Sequence, residues 1–387
     1  EMFYPHGDPH GMVTDYTMKP VVGGVGSGLF FAKHIRRETG RSIGLIGVGT
    51  GRSMPIVWNP DKTGPDASFI FQEMVDLIKK AGGYGKLKGM IWYQGESDAV
   101  EFPEHAAVFQ DSLLKFIDRI RKDSGNPDLP IVLVQIGSMI PNVVPGKPGV
   151  SKGGLKMDDA LKVYSEAWNR VQEVQRRIPA MREKVWVVST VDLDLDDPIH
   201  LSYEAEKRLG SRIAEIALNK VYQKPGHAEP IVLAEIEPPE FVFPEFIHWS
   251  PSQQMRMRIR VRFEGVNGRL HAQGGRPSGF SLNFPGITQN DEGNVWGTGL
   301  YPVIYRVDFD PDDPGAVLLY ASYWNPSNTS ELYKDLNGFL YYGENLDTYC
   351  NIVDDKDIPI PAFGPLPLPQ PKSWINPEEL DKKAEEK

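Results

Sequence analysis

The spacing of Asp197 and His200 is the feature of this sequence with the clearest capacity for chemistry. The two residues stand three positions apart at the end of the run Val191-Asp-Leu-Asp-Leu-Asp-Asp-Pro-Ile-His200. Pro198 lies between them and stiffens the turn, because its ring fixes one backbone angle. A carboxylate at this spacing can reach Nδ1 of the imidazole, fix its tautomer and stabilise the imidazolium that forms when Nε2 accepts a proton. The pair therefore predicts a histidine that acts as a general base.

A simpler interpretation of the same residues stays open. An Asp-x-x-His pattern is short, and an acidic loop with one histidine is more often a solvated entry to a helix than an active site. The choice between the two depends on what the rest of the chain places beside the histidine.

The elements on either side of His200 place it at the edge of a sheet. Val185–Val191 is rich in β-branched and aromatic residues and is predicted to be a buried strand. Ser202, followed by Glu204 and Glu206, is typical of the N-cap and acidic first turn of a helix. We therefore expect His200 on a short loop at the carboxyl end of a strand, which is the edge where open α/β sheets bind ligands.

Strands and helices alternate through the first part of the chain. Three further apolar runs are predicted to be strands, at 42–48, 87–93 and 131–136. Helical periodicity is found at 29–38, 69–81, 103–122 and 158–177. Apolar strands that alternate with helices indicate a parallel sheet with helices on both faces, so the predicted fold class is α/β.

The composition argues against several classes of partner. The chain has 387 residues, of which 40% are hydrophobic, so it can bury a sizeable core and is predicted to form two domains. Its net charge of -10 argues against nucleic acid and anionic membranes, since an acidic surface repels both. No apolar run is long enough to span a membrane. Cys350 is the only cysteine, so the chain has no internal disulfide, and its oligomeric state stays open.

The pattern changes near residue 226, where short alternating runs replace the helices. Met255–Phe263 alternates apolar and basic residues with the period of a half-buried strand, so its arginines are expected on a solvated face rather than in a nucleic-acid site. Ile358–Pro369 is predicted to be an extended, Pro-rich strap. The predicted organisation is an α/β domain at 1–225, a β-rich module at 226–372 and a charged tail at 373–387.

Four short motifs in a fixed order give the sequence a family resemblance. They are Gly26-Ser-Gly-Leu-Phe-Phe-Ala32, Ile43-Gly-Leu-Ile46, Trp92-Tyr-Gln-Gly-Glu-Ser-Asp98 and Asp197-Pro-Ile-His200. Together they resemble the sialate O-acetylesterase and acetylxylan esterase branch of the SGNH hydrolases over residues 20–225, and the Gln-Gly-Glu-Ser motif is the most specific. Short runs in the second part are similar to the C-terminal β region of that family, at 276–280, 324–326 and 361–364.

The resemblance implies a fold, an activity and a set of site residues. The implied fold is a flavodoxin-like three-layer α/β/α domain followed by a sandwich-like β module. The implied activity is removal of acetyl groups from an acetylated carbohydrate, with no metal or organic cofactor, by a secreted or periplasmic protein. His200 resembles the general base, Asp197 the carboxylate that orients it, and Gln94 the side-chain donor of an oxyanion hole. Gly26 and Gly28 resemble the backbone donors of that hole, at a helix N-terminus where negative charge is stabilised.

Several further side chains have two interpretations each. Glu96 either supports the general base or binds sugar, or it is a buried acid that holds its own loop. Trp58 and Trp92 are either sugar-stacking platforms or core residues. His6 and His10 lie in a Gly/Pro-rich stretch without a third ligand, so we expect surface residues rather than a metal site.

The nucleophile is the point at which the sequence departs from the family pattern. In that family the reactive serine lies in a Gly-Gln-Ser-Asn-Met block before all four motifs, and this sequence contains no such block. The favoured explanation is that the serine belongs to a segment upstream of Glu1. A second explanation makes Ser27 the nucleophile, because it stands between glycines on a strand-to-helix turn, with Ser53 and Ser97 as weaker candidates. A third is that the chain is an inactive carbohydrate-binding or structural subunit.

Overall fold

The computed structural model describes residues 26–49, 54–61, 69–141, 157–241, 254–284, 303–324 and 337–371. The helices are α1 Ser27–Thr39, α2 Met54–Val57, α3 Phe69–Lys80, α4 Glu96–Val100, α5 Phe109–Ser124, α6 Met157–Met181 and α7 Tyr203–Lys220. The strands are β1 Met90–Tyr93, β2 Ile131–Gln135, β3 Val185–Ser189, β4 Val232–Ile236, β5 Glu240–Phe241, β6 Gln254–Glu264, β7 Leu270–Ala272, β8 Phe280–Asn283, β9 Val303–Phe309, β10 Ala316–Trp324, β11 Phe339–Tyr342, β12 Ile352–Asp354 and β13 Phe363–Pro367. No helix in these ranges is long and apolar enough to cross a membrane. His6, His10 and Ser53 lie outside the described residues.

A parallel sheet in the order β1-β2-β3 forms the centre of the first part. Successive side chains of a strand lie on opposite faces, and β2 shows this clearly. Val132 and Val134 share a core with Leu209 of α7. Ile131 and Leu133 lie on the other face, in a core that includes residues of α5 and α6. The predicted three-layer α/β/α architecture is therefore confirmed for the described part of the chain.

The predicted strand at 42–48 is not a strand in the structure. The segment has no regular secondary structure, and Leu45 and Ile46 are 47% and 38% exposed. Ile43 and Val48 do pack against the helical cores, which accounts for the apolar pattern. A strand needs a hydrogen-bonding neighbour, and among the described residues β1 pairs with β2 alone. An apolar run without such a neighbour cannot be told from a strand by its pattern.

The second part is built from antiparallel strands. One sheet has the order β4-β6-β10-β9 with β5 paired to β6, and smaller sheets have the orders β13-β11-β8 and β12-β7. In β6 the apolar residues Met257, Ile259, Val261 and Phe263 are buried, while the arginines between them are partly exposed. A β-rich region after α7 is thus confirmed, and the arginine-rich run is a half-buried strand.

The α/β part and the β-rich part share an apolar core. Leu209 of α7 belongs to the same buried cluster as Met257 of β6 and Leu319 of β10. The Pro-rich segment also lies against the parallel sheet. Gln135, at the end of β2, donates from Nε2 to the Ala362 carbonyl oxygen and accepts the Ala362 N–H at Oε1, both at 2.9 Å. Near residue 226 the kind of secondary structure changes, but the core continues.

Candidate active site

His200 lies on a tight loop between β3 and α7. The Asp196 N–H donates to the His200 carbonyl oxygen at 2.9 Å, so the loop closes on itself. From the segment after β2, the Ile140 N–H donates to the Pro198 carbonyl oxygen at 2.7 Å. On its other side the loop ends at Ser202, whose hydroxyl caps α7 as the sequence predicts. The loop that carries the imidazole is therefore held by hydrogen bonds within itself, to the segment after β2 and to the first turn of α7.

Asp197 orients the imidazole through one carboxylate oxygen and holds the loop through the other. Oδ2 lies 2.7 Å from Nδ1 of His200, and Oδ1 accepts the backbone N–H groups of Ile199 and His200, each at 2.8 Å. Burial alone would raise the pKa of Asp197, but these hydrogen bonds outweigh it and lower the pKa. The pairing engages Nδ1 and leaves 41% of the His200 side chain exposed, so Nε2 is the nitrogen suited to proton exchange.

Gln94 follows β1, and its amide is anchored to a buried carboxylate. Nε2 of Gln94 donates to Oδ2 of Asp98 at 2.6 Å, and the Met54 N–H donates to both oxygens of Asp98. Asp98 is fully buried, and this burial raises its pKa to about 6. An amide nitrogen carries two N–H groups, so the contact with Asp98 does not by itself remove Gln94 as an oxyanion donor. That role stays a prediction.

The chain that leaves β1 is fixed by a glycine and by a glutamine of α6. Gly95 has a φ of +154°, and a Cβ at this position would lie 2.7 Å from Val171, so no larger residue fits. Gln175 donates from Nε2 to the Gln94 carbonyl oxygen at 2.9 Å and accepts the Ile136 N–H at 3.0 Å. Gln175 therefore ties the ends of β1 and β2 together from the helix that covers them.

The predicted glycine turn begins α1 and contacts α7. Gly26 is the N-cap residue, and Gly28 lies in the first turn of the helix. The Ser27 N–H donates to Oε2 of Glu206 at 2.7 Å. One turn further along α7, Gly210 allows the two helices to touch, since a Cβ there would lie 2.4 Å from the Ser27 carbonyl oxygen. The turn is thus held against the helix that follows the histidine loop.

Two carboxyl groups interact with His200 from different elements. Burial raises the pKa of Glu206 to about 7, although hydrogen bonds from Ser27 and the charge of a protonated His200 act in the opposite direction. Burial likewise raises the pKa of Glu96, again against the attraction of His200. Tyr93 interacts with both carboxylates, and burial raises the pKa of its hydroxyl well above the ordinary value. These four groups form one electrostatic cluster.

The structure brings the predicted site residues to one edge of the parallel sheet. The ends of β1 and β3 meet the N-terminus of α1 there, through the contact between Ser27 and Glu206 and the interactions of His200 with Glu96 and Glu206. The residues at this edge are Gly26, Ser27, Gly28, Gln94, Glu96, Asp197 and His200. Glu96 interacts with His200 and also accepts the backbone N–H groups of Glu96 and Gly95, so both interpretations of this residue stay open.

The two tryptophans belong to the core. Trp58 and Trp92 are 3% and 6% exposed, and their rings meet edge to face with centroids 4.8 Å apart. Phe116 packs against both rings. Such enclosed rings cannot stack on a sugar, so the core interpretation is correct for both. Ser97 lies in α4, where its carbonyl oxygen accepts the Phe102 N–H at 3.0 Å.

Three further residues at the site were not identified from the sequence, although the position of each in the sequence indicates that it is buried or paired. Glu206 stands three positions before Leu209 and seven before Ile213, which places it on the buried stripe of α7 rather than on the solvated side of the first turn. Asp98 follows Gln94 by four residues, the spacing of one helical turn. Gln175 stands among the apolar residues of α6, where a buried amide must find partners.

The arrangement suits transfer of a proton from a hydroxyl group and stabilisation of a negatively charged oxygen. A carboxylate-oriented imidazole lies beside the N-terminus of a 13-residue helix, where the helix dipole favours negative charge. Within the described residues, no three His, Cys, Asp or Glu side chains are arranged to hold a metal ion. The chemistry that the pair of Asp197 and His200 offers is acid and base catalysis by side chains.

Comparison with known proteins shows what this chain is similar to. A family model described as "carbohydrate esterase, sialic acid-specific acetylesterase" matches residues 5–219. A probable carbohydrate esterase of Arabidopsis thaliana is 29% identical over 203 residues, which make up 51% of this chain and 64% of that protein. The chain thus spans less than two thirds of the length of this relative.

A solved structure shows a related fold. The crystal structure of a carbohydrate acetylesterase from Xanthomonas citri matches 87% of this chain and 64% of its own, with a TM-score of 0.54 and 18% identity. At this identity the likeness concerns the fold, and it extends beyond the α/β part. The X-ray structure of an Arabidopsis thaliana protein matches 52% of this chain and 71% of its own, with a TM-score of 0.38 and 26% identity.

Proposed function

Because the chain belongs to the carbohydrate esterase family of sialic acid-specific acetylesterases, we propose that it removes O-acetyl groups from a carbohydrate by a serine-type mechanism. The observation that carries the proposal is the pair of Asp197 and His200, joined at 2.7 Å beside the N-terminus of α1 and the end of β1. The Arabidopsis and Xanthomonas proteins support the substrate class, since they are a probable carbohydrate esterase and a carbohydrate acetylesterase.

The proposed reaction has two steps that share one base. Nε2 of His200 accepts the proton of the serine hydroxyl while the serine oxygen attacks the acetyl carbonyl carbon. The imidazolium then gives this proton to the sugar oxygen as the ester bond breaks, which leaves an acetyl-serine. Water attacks the acetyl group in the same way and releases acetate. Asp197 keeps Nδ1 engaged and stabilises the imidazolium in both steps.

The negative charge that develops on the carbonyl oxygen needs donors that are in place beforehand. We assign these to the Gln94 amide and to the backbone N–H groups of Gly26 and Gly28. Removing one such donor typically costs about 3 to 4 kcal/mol of transition-state stabilisation. The anchoring of Gln94 by Asp98 and of its carbonyl oxygen by Gln175 supports this assignment, because a fixed donor loses no reorganisation energy.

We propose that the nucleophile is a serine other than Ser27. The N–H and the hydroxyl of Ser27 both engage Glu206, and the residue lies within the turn that carries the backbone donors. Ser27→Ala keeps the backbone N–H, so kcat should stay within about threefold of the wild-type value. A loss of more than about 100-fold in a folded Ser27→Ala protein would assign the nucleophile to Ser27 instead.

Hydrolysis of 4-nitrophenyl acetate and of an O-acetylated sugar by the purified protein tests the activity. His200→Ala should lower kcat by at least about 100-fold, since a positioned base contributes this much or more. His271→Ala is the matched control, because His271 is also a partly exposed histidine but lies on β7, and it should change kcat by less than about twofold. If wild type and His200→Ala share the background rate, a carbohydrate-binding or structural subunit becomes the better account.

A further inference from the structure

The first turn of α1 has no capping side chain of its own, because Gly26 occupies the N-cap position. The Ser27 N–H donates instead to the carboxylate of Glu206, which lies 179 residues further along the chain. Glu206 is only 8% exposed. A capping side chain at the N-cap accepts from the second or third residue of the helix, so it would not satisfy the N–H of Ser27, which is the first residue. A buried carboxylate from another helix satisfies this N–H instead.

Holding this carboxylate against the first turn of α1 is costly. Burial raises the pKa of Glu206 to about 7, which reflects the free energy needed to hold its charge away from water. The close approach also requires Gly210, since any side chain there would collide with the Ser27 carbonyl oxygen. A costly ionisable group at the edge of a site indicates a functional role.

The charged and titratable groups around Glu206 come from four elements. His200 attracts its carboxylate from the loop after β3, and Ser27 donates to it from α1. The Tyr93 hydroxyl on β1 interacts with it, and with Glu96 of α4. Glu96 in turn interacts with His200. A change in the charge of Glu206 therefore alters both the electrostatic interaction with His200 and the hydrogen bond from Ser27 in the glycine turn.

We propose that Glu206 is a positioning residue whose carboxylate ties the glycine turn of α1 to the helix that follows His200. The tie fixes the spacing between the backbone oxyanion donors and the base, and a misplacement of about 1 Å can cost about 100-fold in rate. Ionisation strengthens the tie, because a charged acceptor makes the stronger hydrogen bond and favours the helix N-terminus. The catalytic part of this inference rests on the proposed function.

The pH dependence of the Ser27 amide proton shift, measured by NMR on 15N-serine-labelled protein, tests the tie without any enzyme assay. In the wild type this shift should follow a single ionisation near pH 7, the value to which burial raises the pKa of Glu206. Glu206→Gln keeps the shape of the side chain and should abolish the titration. Glu204→Gln is the matched control in the same first turn, where Glu204 is 73% exposed and pairs with Lys207, and it should titrate as the wild type does.

Kinetics of the same variants test whether the tie serves catalysis. Glu206→Ala should lower kcat about 10- to 100-fold with KM within about threefold, since it loosens the turn but removes no substrate contact. Glu206→Gln mimics the protonated acid, so its kcat should lie within about twofold of the wild-type value near pH 6 and fall about tenfold below it near pH 8. A purely structural role would give a constant ratio at all pH values.

The outcomes separate this inference from the proposed function. A Ser27 titration that survives in Glu206→Gln, or a kinetic ratio that does not change with pH, overturns the positioning role. If the wild type hydrolyses no acetyl ester, the proposed function fails, while the Ser27 titration still decides whether Glu206 holds the turn. A Ser27 shift that does not change with pH in the wild type also overturns the positioning role, and this outcome requires no variant to fold.

Discussion

At the scale of single residues, burial and hydrogen bonds act in opposite directions on the pKa of the carboxyl groups of the site. Asp197 accepts two backbone N–H groups and pairs with His200, and its pKa is lowered although burial alone would raise it. Asp98 also accepts from Met54 and Gln94, yet burial raises its pKa to about 6. The difference is that Asp98 is fully buried, whereas 31% of the Asp197 side chain is exposed, so the burial that raises the pKa is greater at Asp98.

The buried position of Asp98 predicts a pH-dependent stability. Its pKa is raised from 3.8 to about 6, so the folded protein holds this proton more tightly than the unfolded chain does. The resulting stabilisation is complete below about pH 4 and is lost as the pH rises through about 6, and such a shift corresponds to about 3 kcal/mol. Between about pH 4 and pH 7, the free energy of unfolding should therefore fall about 2 to 3 kcal/mol less in Asp98→Asn than in the wild type.

Urea unfolding followed by circular dichroism at several pH values in this range measures the difference. Asp111→Asn is the matched control, because Asp111 is an exposed carboxylate on α5, and it should follow the wild-type pH dependence. Parallel curves for wild type and Asp98→Asn would show that the enclosure of Asp98 does not control its ionisation.

At the scale of elements, the contact between α1 and α7 places the glycine turn beside the histidine loop. A Cβ at Gly210 would lie 2.4 Å from the Ser27 carbonyl oxygen and 2.6 Å from Cβ of Phe30. These atoms belong to the backbone and to the stem of a side chain, so the helix itself must move to make room. The geometry of the turn therefore depends on a position in another helix.

Gly210→Ala should destabilise the protein by about 1 to 3 kcal/mol and lower kcat by about tenfold. The sign of the change in stability is informative, because alanine in a helix is about 1 kcal/mol more favourable than glycine where no clash occurs. Thermal unfolding and hydrolysis of 4-nitrophenyl acetate measure the two effects. Ser211→Ala, at the adjacent position where the hydroxyl donates to the Lys207 carbonyl oxygen, is the control for a changed helix residue. A more stable Gly210→Ala protein would contradict the close packing.

The elements of the parallel sheet were predictable because their apolar pattern is strong and local. The strand predicted at Val185–Val191 is present but ends at Ser189. Thr190 leaves the ladder, and its hydroxyl donates to the Gln135 carbonyl oxygen at 2.8 Å. The segment 42–48 has an equally apolar pattern and is not a strand, since strand formation also depends on a neighbouring chain that periodicity does not show.

At the scale of the whole molecule, the site is assembled from segments that lie far apart in the sequence. The pair of Asp197 and His200 could be predicted because both residues stand on one loop. The bonds from Ser27 to Glu206 and from Gln175 to Gln94 could not, since they join residues 179 and 81 positions apart. Sequence patterns report which face of an element is buried, but they do not report which two buried faces meet.

A buried ion pair joins the histidine loop, α7 and the β-rich part. Arg212 contacts both oxygens of Asp192, at 2.8 and 2.6 Å, and both side chains are 1% exposed. Arg212 also reaches Asp357 of the β-rich part at 3.0 Å, and that carboxylate is 39% exposed. Together with the shared apolar core, this contact couples the two parts of the chain.

Loss of a buried partner should therefore cost far more than loss of the exposed one. Asp192→Asn leaves the enclosed Arg212 charge incompletely paired and should lower the free energy of unfolding by about 3 to 5 kcal/mol, whereas Asp357→Asn, the matched control, should cost about 1 kcal/mol. Because the core is continuous, urea unfolding should stay a single transition. Circular dichroism of the helices, which the structure places in the α/β part, and fluorescence of the eight tryptophans, which both parts contain, should give the same transition. Equal costs for the two variants would show that burial does not set the strength of the pair. Two separate transitions in the wild type would show that the common core does not make the two parts unfold together.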